Sequence, residues 1–161
     1  MNQISLSSEQ SQTDVHTHID FCVRSDRLRL DEISQRLRMQ PTHGFEPRDR
    51  FLATQRVGEE IRTIERRRPP YGTWHFRTEG LVLSESLLDH AEFLLTNLEP
   101  AAEAIRELIS DSEYTVGIIC WHVGPSGFQL PSPIFARLAA LSEWISFTCW
   151  ETNDHVEESE E

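Results

Sequence analysis

The sequence predicts an α+β fold in which a single mixed or antiparallel sheet of four to five strands carries helices on one face. Short segments that alternate apolar and polar residues recur along the chain and are typical of half-buried strands. Longer segments repeat apolar residues every three to four positions, as amphipathic helices do. The resulting order, β-α-β-α-α-β-β-α-β, lacks the strict alternation of a parallel α/β fold and therefore favours an α+β layer.

The N-terminal half of the predicted domain contains one strand, one helix and a long irregular segment. Ile19, Phe21 and Val23 alternate with polar residues and predict a strand over 14–24. Apolar residues spaced for one helical face predict a helix over 30–38, which Pro41 ends. The Arg-rich segment 43–72 is predicted to be an irregular loop. Within it, IRTIE fits either a short amphipathic helix or an edge strand, and periodicity does not decide at this length.

The C-terminal half is more regular. Ser86 and Asp89 have the spacing of a capping box at the start of a Leu-rich helix. The segment YTVGIICWHV is apolar on both faces and predicts a central strand. The predicted elements are a strand over 73–78, helices over 84–98 and 101–109, the central strand over 114–123, a short hairpin strand around 128–130, a helix over 134–141 and a last strand over 145–151.

Length and composition indicate one globular domain. The chain has 161 residues, of which 38% are hydrophobic, enough for a core. We predict a flexible arm over 1–13, a domain over 14–151 and an acidic tail over 152–161. The apolar runs are shorter than a membrane span, and no leader pattern opens the sequence. Three cysteines without a CxxC pair predict reduced thiols, so we expect a cytoplasmic protein.

Charge is unevenly distributed along the chain. The net charge is −12, from 15 Arg, no Lys and 27 acidic residues. Residues 1–80 hold 13 Arg and 12 acidic residues, whereas residues 81–161 hold 2 Arg and 15 acidic residues. This balance argues against a general nucleic-acid binder, which neutralises phosphates. An acidic half favours a basic partner, although solubility alone also accounts for it.

Five stretches, in this order and spacing, resemble the uncharacterised bacterial family named domain of unknown function 4279. They are LDEISQRLRMQPT (30–42), TWHF (73–76), LLDHAEFLLTNLEP (87–100), YTVGIICW (114–121) and FARLAALSEWISFTCW (135–150). The resemblance covers about 14–151 and implies an α+β domain, but no activity or catalytic residues. Arg29 departs from the capping Asp expected before the first helix, because a guanidinium accepts no hydrogen bond from an amide.

One candidate site is a metal centre built from strand residues. His16 and His18 lie two apart with Asp20 and Cys22 following, and Cys120 and His122 share a face of the central strand. Imidazole and thiolate are zinc ligands, so His16, His18, Cys120 and His122 form a candidate zinc site. The alternative is a solvated polar sheet face with inert thiols.

A second candidate site rests on a repeated dipeptide. Trp74–His75 and Trp121–His122 lie on two predicted strands. If these strands pair, the imidazoles meet near a cleft, or the two indoles line a pocket for a small ligand. Simple alternation, with Trp inside and His outside, is the alternative. His90 lies on the apolar side of the Leu-rich helix, where we expect it to bond a loop carbonyl.

The only basic cluster is Arg62, Arg66, Arg67 and Arg68. Guanidinium groups bind phosphate bidentately, so a nucleotide or RNA contact fits these residues. Neighbouring glutamates neutralise much of the cluster, and no Gly-rich phosphate loop precedes a helix. Pairing with the protein's own acidic surface is the alternative.

These features predict a small non-enzymatic binding protein that recognises a basic partner protein, with an immunity or inhibitor role as one concrete form. The alternative is a metal- or small-ligand-binding module, or an enzyme, that uses the strand His and Cys residues. No GxSxG motif is present, and the strand cysteines have apolar neighbours that keep thiols protonated.

Overall fold

The computed structural model describes residues 16–57, 60–124 and 127–150. These residues form an α+β fold with a mixed five-stranded sheet, a separate two-stranded ribbon and four α-helices. The elements in chain order are β1 (His18–Ser25), α1 (Leu30–Leu37), β2 (His43–Phe45), β3 (Arg50–Val57), β4 (Glu60–Arg67), β5 (Gly72–Arg77), α2 (Leu87–Leu98), α3 (Ala102–Ser110), β6 (Thr115–Val123), α4 (Ser132–Ala139) and β7 (Trp144–Trp150).

The five-stranded sheet has the order β2-β5-β1-β6-β7, so β1 lies in the middle. The β1–β5, β1–β6 and β2–β5 pairs are antiparallel, and β7 runs parallel to β6 at one edge. Ile19, Phe21 and Val23 point to one face of the sheet, and His18, Asp20 and Cys22 point to the other. Except for Arg24, β1 is buried on both faces.

The helices pack on the face that Ile19, Phe21 and Val23 share, which we call the helical face. Trp74 on β5 is fully buried there, and its indole N–H donates to Ser34 of α1 over 3.1 Å. Burial of such apolar side chains is the main source of stability. The core also takes a row of apolar residues from α2 and α3: Leu87, Ala91, Leu94, Leu95, Leu98, Ile105 and Leu108.

One of two helix starts agrees with the sequence-based expectation and the other differs from it. Arg29 makes no side-chain cap, as expected, and Glu46 instead accepts the N–H of Leu30 over 3.2 Å. The predicted capping box of α2 was wrong, because the Ser86 side chain makes no cap bond. Ser84 takes part instead, accepting the N–H of Ser86 over 3.1 Å and donating to the Asp89 carboxylate.

The segment 43–72 is more regular than predicted. It contains β2 and the ribbon of β3 and β4, so the edge-strand interpretation of IRTIE was the correct alternative. Pairing between β3 and β4 stabilises these strands, and the strand propensity of a single segment does not reveal such pairing. The hairpin strand predicted around 128–130 was also wrong, because those residues have no strand structure. The predicted arm 1–13 and tail 152–161 lie outside the described residues.

Among the described helices, none is both long enough and apolar enough to cross a bilayer.

Candidate functional site

A buried polar network lies on the sheet face opposite the helical face. Asp20, only 2% exposed, is at its centre on β1. His75 Nδ1–H donates to Asp20 Oδ1 over 2.9 Å, and Arg77 Nη2 donates to Oδ2 over 3.1 Å. Pairing of β1 with β5 brings these residues together, since Asp20 lies opposite Arg77. A charged carboxylate is stable in the protein interior only when hydrogen-bond donors pair with its oxygens, and His75 and Arg77 supply these donors.

The network keeps Asp20 ionised. Burial alone raises the pKa of this carboxyl, but the hydrogen bond and charge of His75, together with Arg77, outweigh it and hold the pKa below its ordinary value. The carboxylate in turn fixes the orientation of the His75 ring and leaves Nε2 facing away. A carboxylate that orients an imidazole is also the supporting part of an acid–base site.

The thiol nearest to this network is poorly suited to nucleophilic chemistry. Cys22 lies opposite His75 in the β1–β5 register and is 3% exposed. Burial, followed by the charge of Asp20, raises the pKa of the Cys22 thiol to about 11. On its other side, the Trp144 ring lies directly over Gly117, where any side chain would collide with it. The thiol is therefore protonated at neutral pH.

His43 extends the network to the sheet edge. Its ring centroid is 5.9 Å from that of His75, its partner in the β2–β5 register. Burial lowers the pKa of His43, and its electrostatic interactions with His75, Arg77 and Arg68 lower it further, against the opposing effect of Asp20.

The repeated Trp–His dipeptides do not meet. β1 lies between β5 and β6, so the strand pairing that this hypothesis required is absent from the sheet. The dipeptides also have opposite orientations: Trp74 is in the core with His75 on the other face, whereas Trp121 stacks on His18 at 5.7 Å on that other face. His122 therefore faces the helical side, where its ring lies 5.5 Å from that of Phe128.

Three of the proposed zinc ligands are divided between the two faces of the sheet, and the fourth, His16, precedes β1. In the β1–β6 register His18 lies opposite Trp121, so Cys120 lies opposite Ile19 and faces the core. Burial raises the pKa of the Cys120 thiol to about 12. In the described part of the chain, no group of three or more His, Cys, Asp or Glu side chains is placed to hold a metal ion. The sequence-based grouping failed because the strand register was unknown.

His90 has the structural role that the sequence predicted. It is fully buried, and Nε2–H donates to the Ser84 carbonyl over 2.8 Å. Nδ1 then accepts the Thr78 hydroxyl over 2.6 Å, and Thr78 Oγ1 accepts the N–H of Ile19 over 2.9 Å. The neutral ring thus connects α2, its preceding loop and β1.

This connection predicts a pH dependence of stability. Burial lowers the pKa of His90 below 6.5, even though the Ser84 bond raises it. The unfolded chain therefore binds a proton at higher pH than the folded chain, so stability falls as pH drops below about 6.5 towards the lowered folded pKa. We expect His90→Phe to lower the free energy of unfolding by about 1–3 kcal/mol at pH 8 and to flatten its change between pH 8 and 5.5. Urea unfolding across this range measures both, and an unchanged pH slope would contradict the prediction.

The predicted basic cluster is dispersed over the ribbon. Arg62 and Arg66 lie on one face, where Arg62 pairs with Glu60 at 2.6 Å, whereas Arg67 lies on the other face. Arg68 follows the ribbon, and its guanidinium lies 4.0 Å from the Phe51 ring centroid and 4.7 Å from that of Phe45. Arg68 thus stacks between the base of the ribbon and β2 and is not available as one of four converging cations.

A surface that the sequence analysis missed lies along β7, which we call the aromatic edge. The Phe147 ring stacks on Phe128 at 5.0 Å and on Phe135 of α4 at 6.4 Å. Phe135, Phe147 and Trp150 are 43%, 39% and 52% exposed. β7 has no neighbour on its outer side within the described sheet. The signal was present in WISFTCW, which contains no charge, Gly or Pro, but the position of β7 at the edge was not predictable.

The aromatic edge belongs to the acidic half of the chain. Residues 81–150 contain nine acidic residues and two Arg. Arg137 of α4 is already engaged, because its Nε and Nη2 donate to both oxygens of Glu99 over 2.7 and 2.8 Å. Glu143, which immediately precedes β7, accepts the N–H of Val116 over 2.7 Å. Glu99 and Glu143 therefore place carboxylates beside α4 and β7, the two elements that form the aromatic edge.

The fold and these sites define an α+β domain with a buried Asp–His–Arg network and an exposed aromatic edge. The model of the family described as "Domain of unknown function (DUF4279)" matches residues 15–151, and the chain belongs to this family. No curated protein and no solved structure matches the chain.

Proposed function

We propose that this chain is a small, non-enzymatic, cytoplasmic binding protein that recognises a basic partner protein through the aromatic edge. An immunity or inhibitor role against a basic toxin or enzyme is the concrete form that best fits this chemistry. The observation that carries the proposal is β7: seven uncharged residues at the edge of the sheet, with exposed aromatic side chains.

An edge strand of this kind is unusual for a domain that works alone. Proteins protect exposed edges with charges, prolines, bulges or very short strands, because unpaired backbone groups bind other strands. The opposite edge follows this rule, since β2 has only three residues. β7 has none of these protective features. An extended segment of a partner could therefore pair with β7 as an additional strand, with Phe135 and Phe147 as the apolar anchors.

The acidic composition of this half of the chain favours a positively charged partner. Nine acidic residues and two Arg lie in residues 81–150, and one of those Arg is paired with Glu99. Such a field speeds the approach of a basic protein and disfavours nucleic acid.

The thiols support both the non-enzymatic and the cytoplasmic parts of the proposal. Cys22 and Cys120 are buried and Cys149 is exposed, and all three are free. Burial raises the pKa of Cys22 to about 11 and that of Cys120 to about 12, which opposes a nucleophilic role. An exposed free thiol suits a reducing compartment.

The test is affinity capture with matched surface variants. We expect Phe135→Asp/Phe147→Asp to bind the partner at least about ten-fold more weakly than the native chain, while remaining folded because both rings are partly exposed. Leu83→Asp is the control, since Leu83 is 97% exposed and lies outside the edge. The captured protein is identified by mass spectrometry, purified, and titrated against all three chains at low and high salt. Capture of an acidic protein, or equal affinity for all three chains, would refute the proposal.

A further inference from the structure

The ribbon of β3 and β4 pairs with no other strand among the described residues. Eight residue pairs join its strands, from Arg50↔Arg67 to Val57↔Glu60, and it forms a sheet of its own. Two-stranded ribbons are at best marginally stable in water unless a third element packs on them. In the described chain the ribbon packs mainly on itself, so its exposed surface suits a contact with another molecule.

One face of the ribbon is built for such a contact. Leu52 and Ile61 share this face and are 74% and 72% exposed. Arg50 and Arg67 stand opposite each other at its base, an arrangement that costs stability because like charges face one another. Glu65 offsets part of this repulsion through Arg50 at 3.1 Å. An apolar surface with carboxylates that reach Arg50 and Arg67 would complement the face.

The domain itself contains a surface of this description. A groove of about 540 Å³ lies between the end of α1 and α3. Its apolar part comprises Met39, Ala101 and Ala104, and one wall carries Glu103 and Glu107. These two carboxylates stand four residues apart on α3, where like charges repel, and no cation pairs with them within the described residues.

The opposite wall of the groove carries Arg36 and Arg38. Arg36 is already paired with Glu32 at 2.8 Å. Arg38, at the end of α1, is a second cation on this wall, and Glu65 shares the ribbon face of Arg50 and Arg67. Both walls of the groove therefore have a counterpart of opposite charge on the ribbon.

We propose that the ribbon of one chain docks in the α1–α3 groove of a second copy, and that reciprocal docking closes a two-fold dimer. Leu52 and Ile61 pack on the apolar part of the groove, and Arg50 and Arg67 pair with Glu103 and Glu107. Each contact relieves a like-charge repulsion present in the separate chain. A two-fold axis relates the two chains, so both ribbons and both grooves are occupied in the pair and no further chain can add. A second copy of the chain is favoured over nucleic acid as the ribbon's partner, because the net charge of −12 repels nucleic acid.

Charge-swapped variants test this dimer by sedimentation velocity. At low salt the native chain is expected to sediment as a dimer with twice the 18.7 kDa mass of one chain, and at high salt this dimer should dissociate. Arg50→Glu/Arg67→Glu and Glu103→Arg/Glu107→Arg should each be monomeric, with dimerisation weakened at least ten-fold. An equimolar mixture of the two should recover the dimer, because both docking contacts regain opposite charges. Phe135→Asp/Phe147→Asp should stay dimeric, which separates this contact from the aromatic edge.

Several outcomes would overturn the proposal. The first is a native chain that is monomeric at all concentrations. The second is a dimer that neither charge-reversed variant disrupts. The third is a mixture of the two variants that stays monomeric although circular dichroism shows that both are folded. Leu52→Asp/Ile61→Asp provides a second test, and a persistent dimer in this variant would also contradict it. Nucleic acid that co-purifies with the native chain and is lost from Arg50→Glu/Arg67→Glu would assign the ribbon a different occupant.

Discussion

Replacing Trp74 by Ala is expected to lower the free energy of unfolding by about 3–5 kcal/mol, the range for truncating a fully buried large aromatic side chain. Trp74 is 0% exposed and makes an edge-to-face contact with Phe21 at 6.3 Å. Its indole N–H also donates to Ser34, so the variant leaves a cavity and a buried hydroxyl with one partner fewer. Urea unfolding at pH 7 gives the difference directly.

The Trp74 variant also decides between two roles for this residue. The sequence allowed Trp74 to line a ligand pocket, whereas the structure places it in the core between β5 and α1. Trp150→Ala is the matched control, because Trp150 is 52% exposed and its loss should cost less than about 1 kcal/mol. A Trp74→Ala chain of nearly native stability would contradict the core assignment.

The second large effect is expected at Asp20. Removing this carboxylate leaves the His75 Nδ1–H without its acceptor and leaves the Arg77 guanidinium with Glu79 alone, over 3.3 Å, and breaking a buried pair is strongly destabilising. The Arg77 side chain is 34% exposed, so water replaces part of the lost interaction. We therefore expect Asp20→Ala to lower the free energy of unfolding by about 2–4 kcal/mol at pH 7.

Asp20 also predicts a pH dependence in acid. Its pKa in the folded chain lies below the ordinary value of 3.8, because His75 and Arg77 outweigh the opposing effect of burial. The stabilisation is therefore present above about pH 4 and is lost as pH falls through the lowered folded pKa. Urea unfolding at pH 5, 4 and 3 should give a smaller decline for Asp20→Asn than for the native chain. Asp26→Asn, at an exposed position, serves as the control. Equal declines for Asp20→Asn and the native chain would refute the role of the network.

The order of elements was readable from the sequence where a local pattern determines structure. The spacing of apolar residues located α1, α2 and α3 to within a few residues, alternation located β1, and a continuous apolar run located β6. The ribbon was harder, because β3 and β4 are almost entirely polar or exposed and depend on pairing with each other. Phe128 was assigned to a strand from local pattern, whereas in the structure it packs on Phe147 without strand pairing.

The sites were less predictable because register determines them. Neither the joining of Asp20 to His75 and Arg77 nor the separation of His18 from Cys120 is visible until β1 is paired with β5 and β6. His90 was an exception, since its partner Ser84 lies only six residues away along the chain. The aromatic edge depends on β7 being outermost, a property of strand order that no segment of sequence contains.

Hydrogen–deuterium exchange of β7 with and without the captured basic partner tests the central proposal most directly. If the partner adds to the aromatic edge, the amides of residues 144–150 should exchange at least about ten-fold more slowly in the complex. The effect should persist in Leu83→Asp and disappear in Phe135→Asp/Phe147→Asp at the same partner concentration. Unchanged exchange across β7 in a fully formed complex would contradict the assignment of this edge as the binding site.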